Sequence, residues 1–518
     1  MKAKLAAIFL IPFLLFGGLQ AHAIDKDERK WQDETIYFLM VDRFNNGDLK
    51  NDKNVDAKDP EAFNGGDFQG IIDRMEHIKS MGFTAIMLSP IFDNVDGGYH
   101  GYWVNDFLKT EEHYGTIKQF KKLVQKAHES GLKVLVDFPA NSTGPDSKLF
   151  LEKGSSWFHE KSDVSESTTR AEQLNGWVDG LPDLNHENPE VRAYLLDAAK
   201  FWIKETGIDG YRLSSAEDVP ADFWREFTAA ARAEKEGFYL IADLGSNGQE
   251  LMDEYKEAGF SGFYNYGLSG ELQSSFAQIN KGTAALFEKW KKTEADVENP
   301  FEMGIFYDGP EMDRFTRKML EAKQYPVSQW KQALNALYTS PGIPIVFYGT
   351  EIAVDGVGQP DNMRLMNFRT DKEIIDHMAK LSELRQSLPS LTSGTMELLY
   401  DKGGMTVFKR EYENETAVIA INNTTKTQTV RLTPEQVDPD GKELRGLLID
   451  EKSVGDKDGF TLILDRDESE IYVLAKKLGL NYPFIFTIAA IWIFFIWFFI
   501  YLARRGKKRR LEDNLKNE

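Results

Sequence analysis

Between residues 35 and 390 the chain alternates short apolar runs with stretches whose apolar residues recur every three or four positions. The runs Thr35–Val41, Ala85–Ser89, Lys133–Phe138, Gly210–Leu213, Tyr239–Asp243, Gly262–Tyr266, Gly304–Asp308 and Pro344–Tyr348 predict eight strands. The intervening stretches predict amphipathic helices. In Thr116–Ser130, for example, Phe120, Leu123, Val124 and Ala127 fall on one helical face. Eight such units predict an α/β fold, a closed (β/α)8 TIM barrel, whose functional site is built at the C-terminal ends of its strands. One connection breaks the rhythm. Residues 142–187, after the third strand, are polar and rich in Gly and Ser, which predicts an inserted subdomain on that face.

From residue 394 the period changes to two. Met405–Arg410, Thr416–Ile421, Thr427–Arg431 and Glu470–Leu474, with turn signals at Asn422-Asn423 and Lys402-Gly403-Gly404, predict a C-terminal antiparallel β-domain over residues 394–475. The two ends of the chain have another character. Lys2 and Lys4, an apolar run from Leu5 to Leu19 and Ala21-His22-Ala23 predict a signal peptide over residues 1–23, with the barrel occupying 24–393. Residues 483–503 carry no charge and are long enough to cross a bilayer as a transmembrane helix. Arg504, Arg505, Lys507, Lys508, Arg509 and Arg510 follow, so residues 504–518 predict a basic cytoplasmic tail. The expected localisation is therefore the cell membrane, single-pass, with the large domain extracytoplasmic and the C-terminus cytoplasmic.

Composition narrows the partners. There is no cysteine, so no disulfide supports an exported domain. The formal charge is −20, and without the basic tail and the leader it is more negative still. Such a surface excludes nucleic acid and anionic lipid as partners of the external part and suits a neutral ligand.

Several motifs at strand ends then combine. They are Val41-Asp42-Arg43-Phe44-Asn45-Asn46-Gly47-Asp48, Tyr99-His100-Gly101-Tyr102-Trp103 with Asp106-Phe107, Leu181-Pro182-Asp183-Leu184-Asn185, and Gly342–Glu351. In order and placement the chain resembles the α-amylases, in particular the branch with cyclodextrin glucanotransferases and neopullulanases. The resemblance spans Thr35 to about residue 475. It implies a retaining glycoside hydrolase with a nucleophile and a general acid held ~5–5.5 Å apart, and a third acid that helps distort the sugar.

Matched position by position, the chemistry departs from that pattern. The nucleophile position after Arg212-Leu213 is Ser214, the acid position is Asp243 rather than Glu, and the stabilising position is Glu311 rather than Asp. Asp137 and Asn141 are kept, but Ser142 replaces a His, and Glu217-Asp218 replaces a Lys-His pair that binds glucan. Gln359 and Met363 stand where the family has the Asp and Arg of an outer subsite. A serine hydroxyl is a weak nucleophile without a base, and it brings no charge to an oxocarbenium-like centre. Shortening the acid by one methylene withdraws it by roughly 1.5 Å, where ~1 Å of misplacement can cost ~10²-fold.

What the resemblance leaves in place is a platform and a metal loop. His100 and Tyr102, with Asp308, match substrate-binding positions, and an aromatic face holds a sugar ring by its apolar C–H surface. Asn46, Asp48, Asn51, Asp52, Gly65 and Asp67 match a calcium site, an all-oxygen donor set that suits Ca²⁺. Asn141 and Asp183 offer a second such place. The expected protein is a membrane-anchored member of that family with impaired catalysis, binding α-glucan or maltooligosaccharide or serving as a scaffold beside a transporter or an active amylase. The alternatives are an active α-glucan hydrolase or transglycosylase using Asp243 and Glu311, whose carboxyls would stand ~6.5–9.5 Å apart in an inverting pair, and an envelope protein whose pocket binds nothing.

Overall fold

The structure is a computed structural model and describes residues 29–162, 169–246, 248–369, 371–477 and 482–514. Eight parallel strands form the barrel: β1 Ile36–Leu39, β2 Ala85–Leu88, β3 Lys133–Asp137, β4 Gly210–Leu213, β5 Tyr239–Ala242, β6 Gly262–Phe263, β7 Gly304–Phe306 and β8 Ile343–Phe347. They pair in the order β6-β5-β4-β3-β2-β1-β8-β7. The seam between β6 and β7 is closed by a parallel bridge, Tyr264 to Gly304, and by Asn265 N–H donating to the Gly304 carbonyl at 2.8 Å. Helices cover the outside while side chains fill the inside, so residues of β1 to β5 are buried on both faces; β1, β2 and β5 read as continuous apolar runs, and β3 and β4 add the charged Lys133, Asp137 and Arg212.

Local chemistry sets the element ends. The helix Ile117–Glu129 starts at a capping box between Thr116 and Gln119 and buries Phe120, Leu123, Val124 and Ala127. The helix Pro189–Thr206 begins with an Asn188 cap and Pro189 and stops at Gly207, whose φ of 74° is left-handed. β6 is shorter than its sequence pattern. Asn265 accepts from Leu268 N–H as the cap of the helix Tyr266–Phe276, which takes the end of the predicted strand. An antiparallel hairpin, Phe92–Asn94 with Val104–Thr110, lies between β2 and β3 and was not expected; its loop carries His100 and Tyr102. In the insertion after β3, bridges Ser142–Asp183 and Phe158–Leu184 pin the segment, and Trp157, Phe158 and Trp177 are buried.

The C-terminal part holds a six-stranded antiparallel sheet in the order Thr395–Lys402, Met405–Tyr412, Glu415–Asn422, Ser469–Lys476, Lys442–Gly446 and Lys452–Val454. One face joins the barrel core through Phe408, Ile419, Ile421 and Ile471. The other covers a second core with Val430, Leu432, Phe460 and Leu464. The helix Tyr482–Asn514 contains one segment, Phe486–Arg510, long and apolar enough to cross a membrane, with a mean hydropathy of 2.3. The expected signal peptide lies outside the described residues.

Candidate active site

A crevice of about 340 Å³ opens where the strands end, lined by His100, Tyr102, Ser214, Asp218, Glu311 and Gln359 among others. Parallel pairing brings Asp137 at the end of β3 beside Arg212 in β4, and Arg212 opposite Ile241 in β5. Arg212 is buried and sits at the centre of the site. Its Nη1 donates to Asp137 Oδ2 and, at 3.2 Å, to Tyr102 Oη. Its Nη2 donates to Asp243 Oδ2 at 2.6 Å and to Glu311 at 3.1 Å. The rings of Tyr264 and Phe38 lie 5.1 Å and 5.4 Å from the guanidinium carbon.

Ser214 is 2 % exposed. Its hydroxyl lies beside Asp137 and helps hold that carboxylate, yet the contact falls short of a well-formed hydrogen bond and Oγ has no other partner. Asp137 Oδ2 is already engaged by Arg212 and by Tyr102 Oη at 2.8 Å. Asp137 Oδ1, buried and without a hydrogen-bond partner, is the acceptor left for that hydroxyl. Asp243 accepts from Arg212, from Gly245 N–H at 3.0 Å and from Tyr266 Oη at 3.2 Å. A carboxyl so held must break contacts before it can deliver a proton. The strand predicted over Gly262–Tyr266 hides Tyr266; in the structure Asn265 caps the helix Tyr266–Phe276, and that cap residue is the sequence signal for Tyr266 at its first turn.

Asp243 and Glu311 share one guanidinium nitrogen at 2.6 Å and 3.1 Å. Their nearest oxygens are therefore closer than the ~6.5–9.5 Å that an inverting pair leaves for its water. About half of the Glu311 side chain, 47 %, meets solvent. Its carboxyl is raised, first by desolvation at the crevice floor and then by Asp243 and Asp137, with Arg212 pulling the other way; the exposed half of the side chain screens these effects. Behind Ser214, Glu217 is pushed up to about 9 by burial and then by its neighbours Asp218 and Asp243, and burial raises Asp218 to about 6.

Among the expected sugar contacts, His100 Nδ1 accepts from Tyr102 N–H at 3.0 Å, and burial lowers the His100 ring to about 4, so it is neutral at pH 7. Tyr102 lies on the crevice wall. Asp308 does not line it: this residue is buried, accepting from Phe315 N–H at 3.1 Å and Thr350 Oγ1 at 3.3 Å. Its carboxylate is spent on fixing the loop after β7, which departs from the substrate contact expected of it. Met363 is buried, whereas Gln359 does reach the crevice.

The expected calcium positions come together in one loop layer. Asn46 Nδ2 lies 2.9 Å from both oxygens of Asp52, and a Cβ at Gly65 would meet Asn46 Nδ2 at 2.6 Å. Asp67 accepts from Asp48 N–H at 2.7 Å, and Asn51 Oδ1 is buried with no partner. Among the described residues no group of three or more His, Cys, Asp or Glu side chains converges as a metal site. The oxygens here are instead mixed amides, carbonyls and single carboxylates, a donor set that fits Ca²⁺. At the second place the Asn141 amide lies 2.9 Å from both Asp183 Oδ1 and the Asp218 carbonyl, while His159 Nδ1 holds the other Asp183 oxygen at 2.5 Å. An amide turned so that its NH2 donates to both satisfies this arrangement without an ion.

The sequence profile of the α-amylase catalytic domain matches residues 38–396, and that of the α-amylase C-terminal domain matches residues 394–472. The chain belongs to the α-amylase family. An α-amylase of Anoxybacillus is 50 % identical, with a TM-score of 0.85, over 88 % of this chain and all of that one. The β/α-amylase of Paenibacillus polymyxa is 32 % identical over 418 residues, 77 % of this chain but only 34 % of that protein, so this chain spans about a third of its length. A cyclomaltodextrinase of Thermoanaerobacter pseudethanolicus is 30 % identical over 77 % of this chain and 71 % of its own. Within this family of glycoside hydrolases and transglycosylases, the present member holds Ser214, Asp243 and Glu311 around Arg212.

Proposed function

We propose that this α-amylase family protein is a membrane-anchored, extracytoplasmic receptor or scaffold that binds an α-glucan or maltooligosaccharide in the crevice and does not cleave it by the retaining route. The observation that carries this reading is Ser214 in place of a carboxylate, with Arg212 turned to Asp243 and Glu311. Retaining hydrolysis needs a charged nucleophile under the anomeric carbon, and a neutral hydroxyl does not bring that charge. The remaining acid, Asp243, is short and held by three donors. Binding asks for less: a concave wall, the Tyr102 face and a few polar groups satisfy it.

The relatives carry names of glucan-active proteins, which supports an α-glucan as the ligand class. The segment Phe486–Arg510 supports anchoring by its length and composition. Calcium belongs to the same proposal: Asn46, Asp48, Asn51, Asp52, Gly65 and Asp67 would hold it, and a bound ion would tie the loop after β1 to the barrel without entering the crevice. The test is incubation of the full chain in detergent with maltoheptaose, starch, pullulan and cyclodextrins, following both cleavage and binding. Binding without turnover is expected. Turnover by the unaltered chain that disappears in both Asp243→Asn and Glu311→Gln would overturn the reading in favour of an active hydrolase.

A further inference from the structure

On a chain of formal charge −20, one cavity is edged by cations. It holds about 210 Å³ and is lined by Arg29, Lys30, Asp33, Arg385, Ser393 and Tyr412 among others. It lies at the N-terminal end of the barrel, where the turn before β1 and the helix Glu373–Ser387 meet the β-domain. Arg385 in that helix is 1 % exposed. Its Nη1 donates to the carbonyls of Tyr338, Ser340 and Leu391, and its Nη2 to those of Gln32 and Gly342. Its Nε is buried and has no partner. Carbonyls satisfy hydrogen bonds without supplying a charge, so this buried guanidinium has no counter-ion. Burial lowers it to about 10, with Asp33 pulling the other way, and it stays cationic at pH 7. Arg410 behind it also donates to carbonyls alone, those of Thr339, Gly394 and Thr395.

The remaining charges do not restore the balance. Arg29 and Lys133 share the single carboxylate of Glu34 at 3.1 Å and 2.8 Å. Asp33 accepts from the Lys30 N–H at 3.1 Å, and the Lys30 side chain is exposed. One short turn brings the cations together: Gln32 gives its carbonyl to Arg385, and its Nε2 donates to Ser393 Oγ at 2.6 Å. The Ser393 proton is then committed to nothing stronger than a 3.4 Å contact with Thr392 Oγ1.

We propose that this cavity binds a phosphate group, with Lys30 and Arg385 supplying the charge and Ser393 a hydroxyl donor. A phosphate offers acceptors and negative charge, which is what a wall of ammonium, guanidinium and hydroxyl lacks. The net charge of the external surface repels anions, and this cavity is its local exception. Two sources supply such a group, dissolved phosphate and the headgroups of a bilayer. The second rests on the reading that Phe486–Arg510 is an anchor. The strand Ser469–Lys476, which leads to that segment, pairs with Glu415–Asn422 through Val473 and Ala417, and Glu415 pairs with Tyr412 on the cavity wall. The chain therefore leaves the β-domain two strand spacings, about 10 Å, from Tyr412.

The test is calorimetric titration of the full chain in a non-ionic detergent with inorganic phosphate, against sodium chloride of equal ionic strength. Saturable binding at millimolar phosphate is expected. Lys30→Glu, at an exposed position, should weaken it at least about tenfold, the scale of one hydrogen bond to a charged group. Asp33→Asn should tighten it severalfold, and a gain of affinity does not come from misfolding. The same titration in vesicles identifies the source. Phosphate binding lost in phosphatidylglycerol but kept in phosphate-free diglucosyl diacylglycerol shows a headgroup in the cavity, and binding kept in both shows a soluble ligand. No phosphate binding in detergent overturns the proposal, and so does binding that both substitutions leave unchanged. Either result leaves glucan binding in the crevice, at the opposite end of the barrel, to be judged by its own titration.

Discussion

At position 214 a buried hydroxyl lies beside Asp137, and the Arg212 guanidinium is shared among Asp137, Asp243 and Glu311; on the proposed reading this hydroxyl takes the place of the nucleophile. Restoring Ser214→Asp, Asp243→Glu and Glu311→Asp together should recover weak glucan cleavage, while each single change should recover none, because these groups act as a unit. Sensitive release of a chromogenic maltoside measures this; the triple variant should exceed every single variant by at least ~10²-fold, the usual scale of one positioned acid. Glu217 supplies a second residue-scale prediction. Its carboxyl is raised from 4.5 to about 9 in the folded chain. The folded state therefore binds the proton more tightly than the unfolded state. The associated stability is fully present at pH values below the ordinary carboxyl range and is lost as pH rises toward about 9, by up to about 1.4 kcal/mol per pH unit for one proton. Glu217→Gln should flatten that decline and raise the melting temperature at pH 8. A melting profile between pH 5 and 9 that is unchanged by the substitution would remove Glu217 as the cause.

Among the elements, the loop after β1 carries the clearest test of calcium. A bound ion stabilises the folded state by about 2.7 kcal/mol at 100 times its Kd. Chelator should lower the melting temperature, and Asp52→Ala should abolish that response. Asp52 is the better probe than Asp67, since Asp67 also caps the helix Phe68–Asp73 by accepting from Gly70 N–H and its loss costs ~1 kcal/mol with or without an ion. Identical melting with and without chelator would dismiss the site. The helix Tyr266–Phe276 has its own dependence: Asn265→Ala removes the bond from Leu268 N–H, costs ~1 kcal/mol, and loosens Tyr266 from Asp243.

For the whole molecule, the proposed topology makes a direct prediction. Protease added to intact protoplasts should digest the barrel and the β-domain and spare only the anchor and the basic tail. Survival of the barrel in sealed protoplasts, with digestion after lysis, would place it on the other side. The barrel and β-domain should also be lost together on heating. Their cores join through Phe408, Ile419 and Ile471, and Arg410, buried, donates to the carbonyls of Thr339, Gly394 and Thr395 across the junction. Scanning calorimetry should show one transition for both parts.

The sequence by itself determined the barrel, because buried parallel strands leave short apolar runs such as those of β2 and β5, here repeated eight times in alternation with amphipathic stretches. It also determined the family and the identity of the altered acids, since each follows directly from the residue at a strand end. It did not reveal the hairpin Phe92–Asn94 with Val104–Thr110, whose short strands lack an alternating pattern, nor the early end of β6, where a side-chain cap outweighs strand propensity. The tertiary structure alone decided how the charges meet. That Arg212 would hold Asp137, Asp243 and Glu311 at once, that Asp308 would turn inward to Phe315 and Thr350, and that Glu217 would lie buried beside Asp243 all depend on distances between different strands. Electrostatic energy falls with separation and rises with burial, and neither quantity exists until the barrel has closed.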